Sequence, residues 1–128
     1  MGDQFGNITS GKWRDPRKNY VIMRLAEMYL IRAEANFRLG TGSGATPLED
    51  LNRIRNRAGL ASLLSVTLDN ILLERRLELA FEGVRIHDIK RLQGVTGTFL
   101  WNDNRLVLPI PLRETNANPN LKQNLGHN

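Results

Sequence analysis

Several features that define other classes of protein are absent from this 128-residue sequence. It contains no cysteine, which excludes disulfide bonds, thiolate metal sites, a cysteine nucleophile and a lipid-modified cysteine within the chain. No apolar run reaches the roughly 18 residues that a membrane-spanning helix needs, and no basic start precedes an apolar stretch as in a signal peptide. The composition, 41% hydrophobic and 24% charged, is that of a single globular domain.

Aromatic residues are scarce, whereas basic residues outnumber acidic ones. Lysine and arginine number 18 against 13 aspartates and glutamates, which gives a net charge of +5. Such an excess can indicate a nucleic-acid partner. Here the basic residues are interleaved with acidic ones, and an aromatic content of 6% offers no platform for stacked bases. We therefore predict a dispersed, solvated charged surface and no nucleic-acid partner.

Residues that could perform acid–base catalysis or hold a metal ion are also few. His87 and His127 are the two histidines, and neither has the spacing of a zinc-binding pair or a nucleophile elbow nearby. The glycine-rich residues 40–44 lack the Gly-Lys-Ser/Thr ending of a phosphate-binding loop. The sequence therefore predicts no enzyme, no cofactor and no metal site.

Hydrophobic periodicity predicts four helices, near residues 21–39, 47–58, 68–82 and 84–93. The second has the clearest start, because Thr46 suits the N-cap, Pro47 the first helical position and Glu49 the far end of a capping box. Only a short glycine- and serine-rich loop separates the first two helices. They are therefore expected to form an antiparallel pair.

The apolar positions of these helices predict the hydrophobic core. The residues expected to be buried are Ile22, Leu25, Tyr29, Leu51, Ile54, Leu72, Leu79 and Phe81. The first helix also carries a second, narrower apolar stripe of Met28, Ile31 and Ala35 within its charged side. We expect this stripe to be exposed or self-associated unless the N-terminal lead-in or the C-terminal tail folds over it.

The C-terminal part is predicted to be a small β-hairpin followed by an irregular tail. Residues 99–101 and 106–108 flank an Asn-Asp-Asn turn, and Pro109 and Pro111 forbid further pairing as a central strand. The predicted fold class is therefore mainly α, with helix pairs, this hairpin and the tail. Residues 1–19 are expected to be an irregular lead-in to a helical domain over residues 20–128.

A row of carboxylates lies on one face of the predicted third helix, because Glu74, Glu78 and Glu82 are four residues apart. Such a row could serve acid–base catalysis or bind a cation. Arginines surround it, however, and Arg75 lies among apolar positions where an unpaired charge is costly. We therefore favour a structural charge network of Arg75, Glu78, Glu82 and Arg85.

Trp13 and Trp101 are the candidate ligand-binding residues. Both lie in predicted loops, where binding residues tend to occur. An exposed tryptophan can stack on the C–H face of a sugar ring, although a tryptophan is more commonly buried. The two tryptophans therefore either contact a sugar or pack in a core or hairpin.

Four motifs in order resemble the C-terminal region of the SusD/RagB family. They are residues 24–35 (RLAEMYLIRAEA), 51–60 (LNRIRNRAGL), 74–83 (ERRLELAFEG, followed by Arg85 and DIKR at 88–91), and the closing LPIPLRE at 108–114 with NANPNLKQN at 116–124. Val84 departs from the histidine often found after the signature glycine, and Leu125 from a terminal proline. The match is specific because the four motifs occur together.

The resemblance implies a fold of tetratricopeptide-like helix pairs. It also implies a nutrient-binding lipoprotein, anchored by lipid at the outer surface of the outer membrane in Bacteroidetes, that works with a SusC-like TonB-dependent transporter. The nutrient expected is a glycan or, less commonly, a peptide. Ligand residues in the family come mostly from upstream loops, so this chain is expected to be the scaffold fragment, without the lipid anchor and most of the nutrient site.

The alternative is a free-standing helical-repeat module whose paired helices bind a protein partner directly. A third, enzymatic interpretation depends on the carboxylate row alone. If the parent gene encodes a signal peptide and a lipid-modified cysteine and has a transporter gene beside it, the lipoprotein is favoured over the free-standing module.

Overall fold

The computed structural model describes residues 12, 15, 17, 19 and 22–127. It divides into two compact units, the first ending at Glu82 and the second beginning at Gly83. Among the described residues, no helix is long and apolar enough to cross a membrane.

The described part of the first unit contains three helices, α1 (Leu25–Leu39), α2 (Pro47–Arg57) and α3 (Leu68–Glu78), and α1 packs against both others. Cross-helix bonds show that α1 and α2 are antiparallel: Arg32 bonds Asp50, whereas Tyr29, one turn earlier on α1, bonds Arg53, one turn later on α2. The predicted antiparallel pair is confirmed. The first helix begins at Leu25, and α3 ends four residues earlier than predicted.

Local side-chain bonds define where these helices begin. The Thr46 hydroxyl accepts from the Glu49 amide while the Glu49 carboxylate accepts from the Thr46 amide, so the predicted capping box is present. Thr67 caps α3 in the same way with Asn70. Gly40 ends α1 with a φ of 64°, a left-handed conformation that glycine adopts without steric cost.

The core of the first unit lies where the three helices meet. Its buried apolar residues are Leu30, Ala33, Leu51, Ile54, Ile71 and Leu79. Burial was predicted correctly for Leu51, Ile54 and Leu79, whereas Tyr29 and Leu72 are only half-buried.

Three residues predicted to be in the core are exposed. Ile22 and Leu25 have exposures of 83% and 65% because they lie before and at the first turn of α1, outside the part of it that is packed on both sides. Phe81 is 72% exposed because α3 ends at Glu78, so that Phe81, with a φ of 65°, leaves the helical wheel on which its burial was predicted.

The second stripe on α1 faces away from this core. Met28 and Ile31 are 40% and 48% exposed, and Ala35 is exposed as well. The prediction that this stripe is exposed is confirmed. The buried face of α1 is centred instead on Leu30 and Ala33.

The second unit contains α4 (Arg85–Arg91), strands β1 (Val95–Thr96) and β2 (Phe99–Leu100), a short 3-10 helix (Asn104–Leu106) and α5 (Leu112–Ala117). A C-terminal β-hairpin is present, as predicted, but its position was wrong. The turn lies at Gly97, whose φ is 58°, and Val95 pairs with Leu100.

The segment predicted as the second strand is held in another conformation. The Asp103 carboxylate accepts from the backbone amide and the guanidinium of Arg105, which favours a 3-10 turn over residues 104–106. These hydrogen bonds lower the pKa of Asp103 to about 2. The Arg105 guanidinium also lies 4.3 Å from the centre of the Phe99 ring.

The tail is more ordered than predicted, because α5 interrupts it. The Gln123 side chain replaces a missing strand partner: it accepts from the Ile110 amide at 2.8 Å and donates to the Ile110 carbonyl at 2.9 Å. Asn124 donates to the Leu108 carbonyl, and the His127 ring lies 2.6 Å from the Val107 carbonyl. These bonds satisfy backbone groups beside Pro109 and Pro111.

Candidate functional site

A cluster of charged side chains in the first unit lies where α1 begins and α3 ends. Arg24 donates to Glu78 Oε1 at 2.6 Å and to both carboxylate oxygens of Glu82, at 2.8 and 3.0 Å. It also donates to the Glu78 backbone carbonyl at 2.9 Å. One guanidinium therefore holds two carboxylates and one of the carbonyls that a helix end leaves without an intrahelical donor.

Two further cations complete this cluster. Lys12 Nζ donates to the backbone carbonyls of Glu78 and Ala80 at 2.7 and 2.8 Å and to Glu82 Oε1 at 2.6 Å. Arg57, at the end of α2, donates to Glu78 Oε2 at 2.7 Å. Positive charge at a helix C-terminus interacts favourably with the helix dipole, so the cluster stabilises the end of α3.

Ionisation of the cluster follows from these bonds. Burial by itself disfavours the charged form of Glu82, but hydrogen bonds from Arg24 and Lys12 outweigh it, and its pKa is lowered. The pKa of Arg24 is raised, because hydrogen bonds to Glu82 and Glu78 outweigh the opposing effect of burial. Glu82 is therefore held as a carboxylate rather than as an acid able to donate a proton.

Other ion pairs join the same helices. Arg32 grips the fully buried Asp50 through two bonds of 2.6 and 2.8 Å. Arg55 donates to the buried Glu74 at 3.0 Å. These contacts connect α1 to α2 and α2 to α3. Arg32, Arg55 and Glu74 lie within the first three sequence motifs, and Asp50 immediately precedes the second.

The arrangement suits a structural role better than a chemical one. Glu74, Glu78 and Glu82, the row that could have bound a cation, each accept from a lysine or arginine. The described residues contain no group of three or more histidine, aspartate or glutamate side chains that could hold a metal ion.

The predicted site residues are distributed over both units. Glu78 and Glu82 lie in the cluster, whereas Arg75, also buried, donates to Glu27 of α1 at 3.3 Å. Arg85 is exposed on α4 in the second unit. That Arg75, Glu78, Glu82 and Arg85 act as one network stays a prediction.

Of the two tryptophans, Trp101 follows β2 and is 36% exposed, and Trp13 lies outside the described residues. A role in ligand binding stays a prediction for both. The sequence did not identify Lys12 and Arg24 as partners of the carboxylates. Antiparallel packing of α1 against α3 places Arg24 near Glu78, so the assumption of that packing would have identified Arg24 as a partner.

A partly open groove of about 250 Å³ lies between α1 and α2. Its apolar lining residues are Leu25, Ala26, Tyr29 and Ile54, and its basic ones are Arg24, Arg53 and Arg57. Arg53 donates to the Tyr29 hydroxyl at 2.9 Å, and its guanidinium lies 4.9 Å from the centre of that ring. The groove combines an apolar surface with positive charge.

Comparison with known proteins gives consistent results. A sequence model of the SusD family matches residues 7–107. The chain is 34% identical to SusD-like protein P2 of Formosa agariphila, over 94% of this chain and 28% of that protein. It is 32% identical to starch-binding protein SusD of Bacteroides thetaiotaomicron, over 88% of this chain and 22% of that protein.

A solved structure agrees. Surface glycan-binding protein A from Bacteroides uniformis is similar to this structure with a TM-score of 0.66 and 35% sequence identity, over 84% of this chain and 28% of that one. The chain thus spans between a fifth and a third of the length of the relatives it matches.

Proposed function

Because the chain belongs to the SusD family, we propose that it is the C-terminal scaffold of a longer nutrient-binding lipoprotein, with residues 20–128 as the helical domain and 1–19 as its lead-in. The observation that carries this proposal is the use made of the family motifs. Arg24, Arg32, Arg55, Glu74 and Glu78 lie in these motifs, and each forms an ion pair with a residue of another helix or helix end. Because these motif residues hold helices together, they indicate a scaffold rather than a ligand site.

The nutrient proposed is a glycan, with a peptide as the less favoured class. The names of the relatives, one starch-binding and one surface glycan-binding, support this choice. Most ligand contacts are assigned to the part of the protein outside this chain. Trp101 is the described candidate for a contact from within it, since a partly exposed indole can stack on a sugar ring.

The proposed setting is the outer surface of the outer membrane, with a lipid anchor outside this chain and a SusC-like TonB-dependent transporter as partner. The protein would capture nutrient and deliver it, with no chemical step. The occupied carboxylates of the cluster support a binding role over catalysis.

Affinity purification of the tagged full-length protein from detergent-solubilised outer membranes tests this setting. We expect a TonB-dependent transporter to copurify, and the protein to be labelled by a membrane-impermeant reagent on intact cells. A matched variant with the anchoring cysteine replaced by alanine should lose the membrane association. A protein found in the cytoplasm and free of any transporter would contradict the proposal and favour the free-standing interaction module.

A further inference from the structure

Arg53 differs from its neighbours in how its charge is balanced. Arg24, Arg32, Arg55 and Arg57 each donate to a carboxylate. Arg53, within the part of the chain that the structure describes, instead donates to the hydroxyl of Tyr29, lies over its ring and forms no ion pair with a carboxylate.

Glu49, one turn before Arg53, attracts the Arg53 charge but, among the described residues, accepts no hydrogen bond from it. Glu49 Oε2 accepts from the Thr46 amide at 2.7 Å and from the Thr46 hydroxyl at 2.8 Å, because it closes the capping box. Arg53 therefore presents a guanidinium with open donors beside the groove.

A second arginine adds to this charge. Arg57 follows Arg53 by one helical turn, lines the same groove, and is 59% exposed although one of its nitrogens is bonded to Glu78. Two like charges four residues apart on a helix repel each other. An anion that bound between them would remove this repulsion and use donors that are otherwise solvated.

The rest of the groove restricts the anion that fits. Its apolar residues include Leu25, which is 65% exposed, and Ala26. A sugar ring is disfavoured here because Arg53 already lies over the Tyr29 ring. Nucleic acid is disfavoured because the described residues that line the groove include no second aromatic side chain for a base.

We propose that the α1–α2 groove binds an acidic amphipathic segment of a protein partner, with carboxylates on Arg53 and Arg57 and an apolar side chain against Leu25 and Ala26. This is the helix-in-groove mode of recognition, in which apolar contacts provide area and charge pairs provide orientation. The inference does not depend on the nutrient proposal, because it concerns a protein partner and uses neither of the candidate nutrient-binding tryptophans.

Fluorescence anisotropy at low ionic strength tests the proposal. The probe is a labelled helical peptide with glutamates one turn apart and leucines on the same face, and its control is the same peptide with glutamine for each glutamate. We expect the acidic peptide to bind at least about tenfold more tightly than the control, the ratio that one or two charge-assisted hydrogen bonds provide.

Substitutions in the chain locate the binding. Arg53→Gln should lower the affinity for the acidic peptide about tenfold. Arg53→Lys should lower this affinity less, because lysine keeps the charge but loses the paired donors. Arg76→Gln is the matched control: it makes the same charge change at an exposed position of α3 outside the groove and should leave affinity unchanged. No saturable binding, equal affinity for both peptides, or equal losses for Arg53→Gln and Arg76→Gln would overturn the proposal.

Discussion

Arg24 joins the first turn of α1 to the end of α3 through one side chain, because its guanidinium donates to Glu78 and Glu82. Pairing of these glutamates with arginines could be anticipated from composition along the predicted third helix. The identity of the partner could not, because Arg24 is 54 residues from Glu78 in sequence and is brought near only by antiparallel packing. Periodicity shows which face a residue occupies, but not which helix that face meets.

Neutralising Glu78 should destabilise the first unit. Glu78→Gln removes the charge that Arg24 and Arg57 share and weakens both hydrogen bonds, so we expect the free energy of unfolding to fall by about 1–3 kcal/mol. Urea denaturation followed by far-UV circular dichroism measures the change. Glu114→Gln, which removes an exposed pair with Arg113, is the control and should cost less than about 0.5 kcal/mol. Equal midpoints for wild type and Glu78→Gln would refute the structural role.

The lowered pKa of Glu82 predicts a stability that depends on acid pH. A carboxyl whose folded pKa lies below its unfolded value contributes stability above the unfolded pKa of about 4.3 and loses it as pH falls through the folded pKa. Wild type should therefore be more stable than Glu82→Gln at neutral pH, and the difference should shrink below about pH 4.3. Denaturation midpoints measured across this range check the prediction, and a difference independent of pH would show that Glu82 contributes by packing alone.

Trp101 provides the residue-scale test of nutrient contact. If its indole stacks on a sugar, Trp101→Ala in the full-length protein should weaken glycan affinity about two- to tenfold, whereas Trp101→Phe should keep most of it. Isothermal titration calorimetry with a glycan that the wild-type protein binds measures the affinity of both variants. Unchanged affinity in Trp101→Ala would assign this residue to the packing of the second unit.

Among the secondary-structure elements, the start of α2 was predicted correctly because it depends on residues adjacent in sequence. The position of the hairpin, which depends on which segments pair, was predicted wrongly. The start of α2 was predicted because Thr46, Pro47 and Glu49 satisfy the helix end locally. The hairpin was misplaced because an Asn-Asp-Asn turn competes with Gly97. The hydrogen bonds that Arg105 donates to the Asp103 carboxylate favour a 3-10 turn over a strand. Alternation of apolar residues alone does not distinguish the two.

The capping box predicts a measurable loss on substitution. Thr46→Ala removes the hydroxyl that accepts from the Glu49 amide and donates to the Glu49 carboxylate, so we expect a destabilisation of about 1 kcal/mol. Ser65→Ala, a change of similar size at an exposed loop position, is the control. Thermal denaturation of the two variants compares them, and similar midpoints would indicate that α2 is held by its packing rather than by its cap.

For the molecule as a whole, the four motifs predicted the family and the fold class. The structure shows the role of their residues. They place arginines and carboxylates at the junctions of three helices, and they leave Met28 and Ile31 exposed on the outward face of α1. That outward stripe could be predicted because it interrupts a charged face. The division at Glu82 could not, because a glycine after a helix indicates a break but not how many contacts cross it.

Binding of the full-length protein to an array of oligosaccharides tests the account most directly. Because the chain is assigned a scaffold role, we expect the full-length protein to bind a defined glycan class and the 128-residue chain alone to bind none at the same concentration. Strong glycan binding by the chain alone would contradict the scaffold assignment. A folded full-length protein that binds neither glycans nor peptides would contradict the nutrient-binding function itself.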